Sequence, residues 1–184
     1  MTESVLDVLD DAPTGDRPRA AWLADVERSL AGAPDAWVEA VGSEGLTQDR
    51  SWVLLAWVED AASQLVRERR RDLVELAAFA MSLLEAGPLD RRDVMVVAML
   101  VRRGSTLAGL PFEAPVSRGC ARAGELGTRC EEWLLRITDA TPSTHEEVGE
   151  GRDVRFVRRP TSIDTDALQA RFGRKPADGG DQPA

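Results

Sequence analysis

The sequence predicts an all-α protein: an antiparallel helical bundle or two helix-hairpin repeats, with a small irregular or β-hairpin attachment at the C-terminal end. Three observations lead to this fold class. Apolar residues recur at helical spacing through most of residues 19–137. Short segments rich in Gly and Pro interrupt that pattern. Thr or Asp residues that can cap a helix precede several of the apolar stretches.

The 184 residues suit one main domain with short additions. We expect a flexible N-terminal segment over residues 1–18 and a helical domain over 19–140. A C-terminal attachment over 141–173 and a disordered tail over 174–184 complete the predicted organisation. The bias toward Arg, with 22 Arg against one Lys, is typical of a GC-rich genome.

Two helices are predicted before the central body. The first runs over 19–31, and its apolar residues Trp22, Leu23, Val26 and Leu30 share one face. Gly32 and Pro34 end it, and a shorter helix follows over 35–41.

The central helices have clearer boundaries. Thr47 is predicted to cap a helix to about Arg70, and the apolar run 52–58 implies burial on most faces. Asp72 and Glu75 have the spacing of a capping box, which predicts a helix over 73–86.

Asp90 is predicted to cap the next helix, which extends to about Leu110. Its core is the apolar run 94–101, which is far shorter than the roughly 20 residues of a membrane span.

The last predicted helix is a single long one over 116–137. It places Cys120 and Cys130 about 15 Å apart along the helix axis. In an intact helix these thiols cannot share a disulfide or a metal, so both are interpreted as core residues.

The attachment shows strand-like alternation. Residues 145–148 and 154–156 can pair around Gly149-Glu-Gly151, and a short helix is predicted over 165–172. Shifting the chain by 42 residues aligns 52–58 with 94–100, which fits a helix-pair repeat. Two unrelated amphipathic hairpins explain the same pattern.

The net charge of −9 is concentrated at one end, since residues 1–46 carry −7. One hypothesis is that this segment steers a basic protein partner. A solvated acidic surface and an internal match to the 67–71 cluster are the alternatives. The candidate partner-binding acids are Asp10, Asp11, Asp16, Asp25 and Glu27.

Arginine clusters form the second candidate surface. If the helices alternate in direction, the clusters around 67–71 and 102–103 lie toward the same end and form a basic patch for nucleic acid or an acidic protein. Helix-dipole compensation is the simpler explanation, and the acidic net charge makes nucleic acid the weaker expectation. The candidate residues are Arg69, Arg70, Arg71, Arg102 and Arg103.

Catalysis is the least supported class. The chain has one His, His145, in a loop-like segment, and no Gly-rich phosphate loop. No catalytic, cofactor-binding or metal-binding residues are therefore predicted, and no cofactor is expected. The leading hypothesis is a cytoplasmic, non-catalytic bacterial protein-binding module, such as an adaptor, a regulatory partner or a toxin-immunity protein. The alternative is a transcriptional or nucleic-acid-associated regulator, and an enzyme comes third.

Overall fold

The computed structural model describes residues 4–10, 19–137, 145–148 and 155–158. These ranges form eight helices and one strand pair, which confirms the all-α fold and the helical bundle. The elements are α1 (Asp7–Asp10), α2 (Arg19–Gly32), α3 (Pro34–Glu44), α4 (Gln48–Glu68), α5 (Asp72–Leu84), α6 (Arg91–Leu107), α7 (Glu113–Arg122), α8 (Glu125–Leu134), β1 (His145–Val148) and β2 (Arg155–Arg158).

Two of the predicted helix caps are confirmed. The Thr47 hydroxyl accepts a hydrogen bond from the backbone N–H of Arg50 at 3.2 Å, at the start of α4. The Asp90 carboxylate accepts one from the N–H of Arg92 at 2.9 Å, at the start of α6. Each cap satisfies an N–H that has no partner inside its own helix.

The predicted capping box at Asp72 is wrong. Arg71 occupies the N-cap position of α5 in a helical conformation, and no side chain caps the helix there. Asp72 lies inside the first turn, and its carboxylate is hydrogen-bonded to Arg70 instead. A nearby guanidinium has thus displaced the backbone N–H as the partner of this acid.

The single helix predicted over 116–137 is also wrong, because the structure has two helices there. The chain turns at Gly124, whose φ of 58° lies in the left-handed region that glycine adopts without strain. The turn folds α8 back against α7. A Cβ on Gly127 would lie 1.7 Å from the carbonyl oxygen of Cys120, so the two backbones touch where only glycine fits.

The core is built around α5. Of its thirteen residues, all but Asp72 and Glu75 are buried. It packs against α2, α4, α6, α7 and α8. The helices of the bundle therefore share one continuous core rather than two separate ones.

The N-terminal end contributes to that core. Leu6, which directly precedes α1, and Leu9 within α1 belong to the segment assigned to 1–18, and both are fully buried. The Trp22 indole donates a hydrogen bond to the carbonyl of Val8 at 2.9 Å. Residues 4–10 are thus packed on the helical body.

The strand pair matches the expected hairpin. β1 and β2 are antiparallel, with His145 opposite Arg158 and Val148 opposite Arg155. The predicted helix over 165–172 and the tail over 174–184 lie outside the described residues. α4 and α6 begin 43 residues apart, and α5 and α7 begin 41 apart. A duplication of period 42 stays a prediction.

Candidate protein-binding surfaces

One side of α6 exposes apolar side chains. Of the run 94–101, the buried residues are Val94, Val97, Ala98 and Val101. The intervening residues Val96, Met99 and Leu100 are half-buried, and the side chain of Met95 is 39% exposed. A helix that is apolar on every side is normally covered on every side. Here the outer side of α6 is open.

The exposed apolar surface of α6 continues toward α4. A shallow groove of about 210 Å³ lies between the two helices, and Val66, Leu100 and Leu107 line it. Val66 is 46% exposed and Leu107 is 61% exposed. We call this surface the α6 face, and its apolar members are Met95, Val96, Met99, Leu100 and Leu107 of α6 with Val66 of α4.

Positive charge flanks the α6 face. Arg92 and Arg103 are exposed on the same helix, and Arg103 also lines the groove. The single acid of α6, Asp93, is buried. Glu59 of α4 supplies a carboxylate on the opposite wall.

Arg102 is fixed at the edge of this region. Its Nη1 donates to Glu113 Oε1 at 2.7 Å, and its Cζ lies 4.5 Å from the centre of the Phe112 ring. The hydrogen bond from Arg102 is the main reason that the pKa of Glu113 is lowered. Arg102 therefore has a structural partner within the chain, and Arg103 lines the groove.

The acids proposed for partner binding face arginines of this chain. Asp10 accepts from Arg50 Nε at 3.0 Å, and Asp7 and Glu44 approach the same guanidinium. The hydrogen bond to Asp10 is the largest cause of the raised pKa of Arg50. Asp25 pairs with Arg28 at 3.0 Å.

Glu27 links the acidic region to the 67–71 cluster. Its Oε1 accepts from Arg70 Nη2 at 2.6 Å, and this bond is the main cause of the raised pKa of Arg70. An ion pair between the acidic segment and the 67–71 cluster was one alternative from the sequence, and Glu27 and Arg70 form such a pair. Asp11 and Asp16 lie outside the described residues.

Arg69 and Arg71 occupy the turn between α4 and α5. Arg69 ends α4 in the left-handed conformation, with a φ of 53°, and its N–H donates to the carbonyl of Leu65. Both side chains are exposed. Nearby, a groove of about 740 Å³ between α2 and α4 is lined by both signs of charge, including Glu27, Arg67 and Arg70. Such mixed walls favour no single class of ligand.

Sequence reasoning missed the α6 face, although its signal was present. The apolar run 94–101 was assigned wholly to the core, because periodicity cannot distinguish a covered face from an uncovered one. The sequence did identify Arg102 and Arg103, which lie beside it.

Two absences apply to the described ranges alone. No three His, Cys, Asp or Glu side chains in them converge as metal ligands would. Among the same residues, no helix has both the length and the apolar character needed to cross a bilayer. Comparisons with protein family models, curated proteins and solved structures give no match to this chain.

Proposed function

We propose that this chain is a non-catalytic protein-binding module and that the α6 face receives an acidic amphipathic helix of a partner protein. The observation that carries the proposal is the exposure of apolar residues on α6 and at Val66 of α4, of which Val66, Leu100 and Leu107 line one groove. Val66, Met95 and Leu107 each leave more than a third of their surface in water. Scattered exposed apolar residues are ordinary, but a contiguous set marks a surface that another molecule covers.

The shape of the surface favours a helix as the occupant. Val66 and Leu107 lie on different helices, and the shallow groove between them is lined by residues from about two turns of each helix. An amphipathic helix buries its apolar side in such a groove through residues spaced by three or four positions.

The charges favour an acidic occupant. Arg92 and Arg103 flank the face on α6, where the single acid is buried, and the two arginines outnumber Glu59 on the opposite wall. Opposite charges across an interface raise the association rate and orient the partner. Because Asp10, Asp25 and Glu27 already pair with arginines of this chain, the acidic region is less suited to attract a basic partner.

The other functional classes have less support. Arg50, Arg70 and Arg102 are each hydrogen-bonded to carboxylates, which reduces the positive potential that a nucleic acid would meet. An adaptor, a regulatory partner and a toxin-immunity protein of the bacterial cytoplasm would all use a surface of this kind.

The proposal is tested with a pair of designed peptides. Each is an amphipathic helix of about 18 residues, or five turns, with Leu on one side and either Glu or Lys on the other. Fluorescence polarisation measures the binding of both to the full chain. We expect the Glu peptide to bind more tightly, with an affinity that falls as salt is added.

The double variant Val66→Gln and Leu107→Gln should weaken binding of the Glu peptide at least tenfold, about 1.4 kcal/mol. Leu135→Gln is the matched control, because Leu135 is 41% exposed and does not line the groove. Arg103→Glu should reverse the preference toward the Lys peptide.

Three results would contradict the proposal. Equal binding of both peptides would rule out a preference for an acidic partner. An equal loss of affinity in the Leu135→Gln control would rule out the α6 face as the binding surface. A dimer in sedimentation that dissociates in the double variant would show that a second copy of the chain covers this face instead.

A further inference from the structure

The turn at Gly124 brings together two thiols that a continuous helix would separate. Cys120 is on α7 and Cys130 is on α8, and each is almost completely buried. The two side chains are neighbours, since each affects the pKa of the other. Both are free thiols in this structure.

The contact between the helices fixes this arrangement. Gly127 packs directly on the backbone of Cys120, and Cys130 follows Gly127 by about one helical turn. From the opposite side, α5 presents Ser82, whose hydroxyl is hydrogen-bonded to the carbonyl of Ala78 at 2.9 Å. Ser82 also lies beside both thiols and lowers the pKa of each. The pair is therefore held by three helices.

The two thiols are chemically unequal. The hydrogen bond from Cys130 stabilises the thiolate of Cys120 and lowers its pKa. That same bond, together with burial, raises the pKa of Cys130. The lower pKa favours Cys120 over Cys130 as the nucleophile.

We propose that Cys120 and Cys130 form a reversible disulfide site that responds to peroxide and links α7 to α8. In the first step, the Cys120 thiolate attacks an oxygen of hydrogen peroxide, an S–O bond forms and the O–O bond breaks. The released hydroxide takes up the proton that Cys120 gave up, so water leaves and a sulfenic acid remains.

In the second step, the sulfur of Cys130 attacks that of Cys120. The S–S bond forms, the S–O bond breaks, and the departing hydroxide takes the Cys130 proton as water. Two thiols have then supplied two electrons to one peroxide, with two waters as the other product. A thiol reductant reverses the change by disulfide exchange.

Burial sets the conditions for this reaction. Neither sulfur is open to solvent, so peroxide gains access when α8 separates briefly from α5 and α7. Short helices at the periphery of a bundle open more easily than its central helix. The disulfide then closes a loop within the native fold and restricts the unfolded chain, which raises the melting temperature.

The test treats the full chain with hydrogen peroxide and then blocks the remaining thiols in denaturant. We expect intact mass to show the loss of two hydrogens and no blocked thiol. Tryptic digestion should give the peptide Gly119–Arg122 linked to Cys130–Arg136. The oxidised protein should melt several degrees above the reduced protein, and a thiol reductant should restore the original value.

Cys130→Ser serves as the one-thiol control, because its hydroxyl can still donate a hydrogen bond to the Cys120 sulfur. It should yield a sulfenic acid on Cys120 that a sulfenic-specific reagent traps, without a linked peptide. Two unreacted thiols in the wild type, disulfides between chains, or a lower melting temperature after oxidation would each overturn the proposal. These outcomes are independent of whether the α6 face binds a helix.

Discussion

Helices α4 and α6 contain similar apolar runs but differ in how much of each run is covered. In α4, residues 53–58 are all buried and Trp52 packs partly against the core. In α6, the aligned run 94–100 has Val94, Val97 and Ala98 buried, and the other positions are partly or largely exposed. Two runs of similar composition thus have different environments.

The neighbours of each helix explain the difference. α4 packs against α1, α5 and α6, whereas α6 packs mainly against α4 and α5. An apolar run shows how much surface must leave water, but it does not show whether the same chain or another molecule covers it. The next three predictions test this comparison.

The largest effect is expected from equal truncations in the two runs. Leu54→Ala removes a fully buried side chain of α4 and should lower the free energy of unfolding by about 2–5 kcal/mol. Leu100→Ala removes a half-buried side chain of α6 and should cost roughly 1 kcal/mol. Denaturant titration measures both, and equal losses would mean that α6 is covered as fully as α4.

An intermediate loss of stability is expected for a substitution where α4 and α6 meet. A Cβ on Gly104 would lie 2.9 Å from the backbone carbonyl oxygen of Ala62. Gly104→Ala should therefore destabilise the protein by about 1–2 kcal/mol, despite the higher helix propensity of Ala.

Gly42→Ala is the matched control, because no atom lies within 4 Å of the added carbon. It lies inside α3 and should stabilise the protein by about 0.5–1 kcal/mol. Melting temperatures that shift in the same direction for both variants would contradict the close packing of α4 and α6.

The smallest effect on stability is expected from the ion pair between Arg102 of α6 and Glu113. Because Arg102 lowers the pKa of Glu113, this pair stabilises the fold above the ordinary carboxyl pKa of 4.5. That contribution is lost as the pH falls through the lowered value of the folded state. The Glu113 side chain is 69% exposed, so the change should be only about 0.5 kcal/mol.

Glu113→Gln should remove this part of the pH dependence while leaving the rest of the stability profile unchanged. The free energy of unfolding of the variant and of the wild type is measured between about pH 3 and pH 7, which covers the range in which carboxylates titrate. A steeper profile in the variant would contradict the assigned ion pair.

The sequence was informative where one local signal decided the structure. Thr47 and Asp90 cap their helices because their oxygens reach the N–H groups a few residues ahead. Gly87 and Pro88 follow α5, as their helix-breaking character predicted. The fold class followed from such signals together with helical periodicity.

The sequence was less informative where distant groups compete. Asp72 bonds to Arg70 rather than capping α5. Gly124 divides the last helix, although the apolar spacing from Val116 to Ile137 continues across the break. That spacing persists because α7 and α8 both pack on α5. The same limitation concealed the contact between Cys120 and Cys130 and the exposure of the α6 face.

The position of α5 has a consequence for how the molecule opens. Since it is enclosed by α2, α4, α6, α7 and α8, its amides cannot meet solvent unless much of the bundle separates. Its amide protons should exchange only through global unfolding, whereas those of α1 and α8 should exchange through smaller openings. The exchange hierarchy would then follow distance from α5 rather than order along the chain.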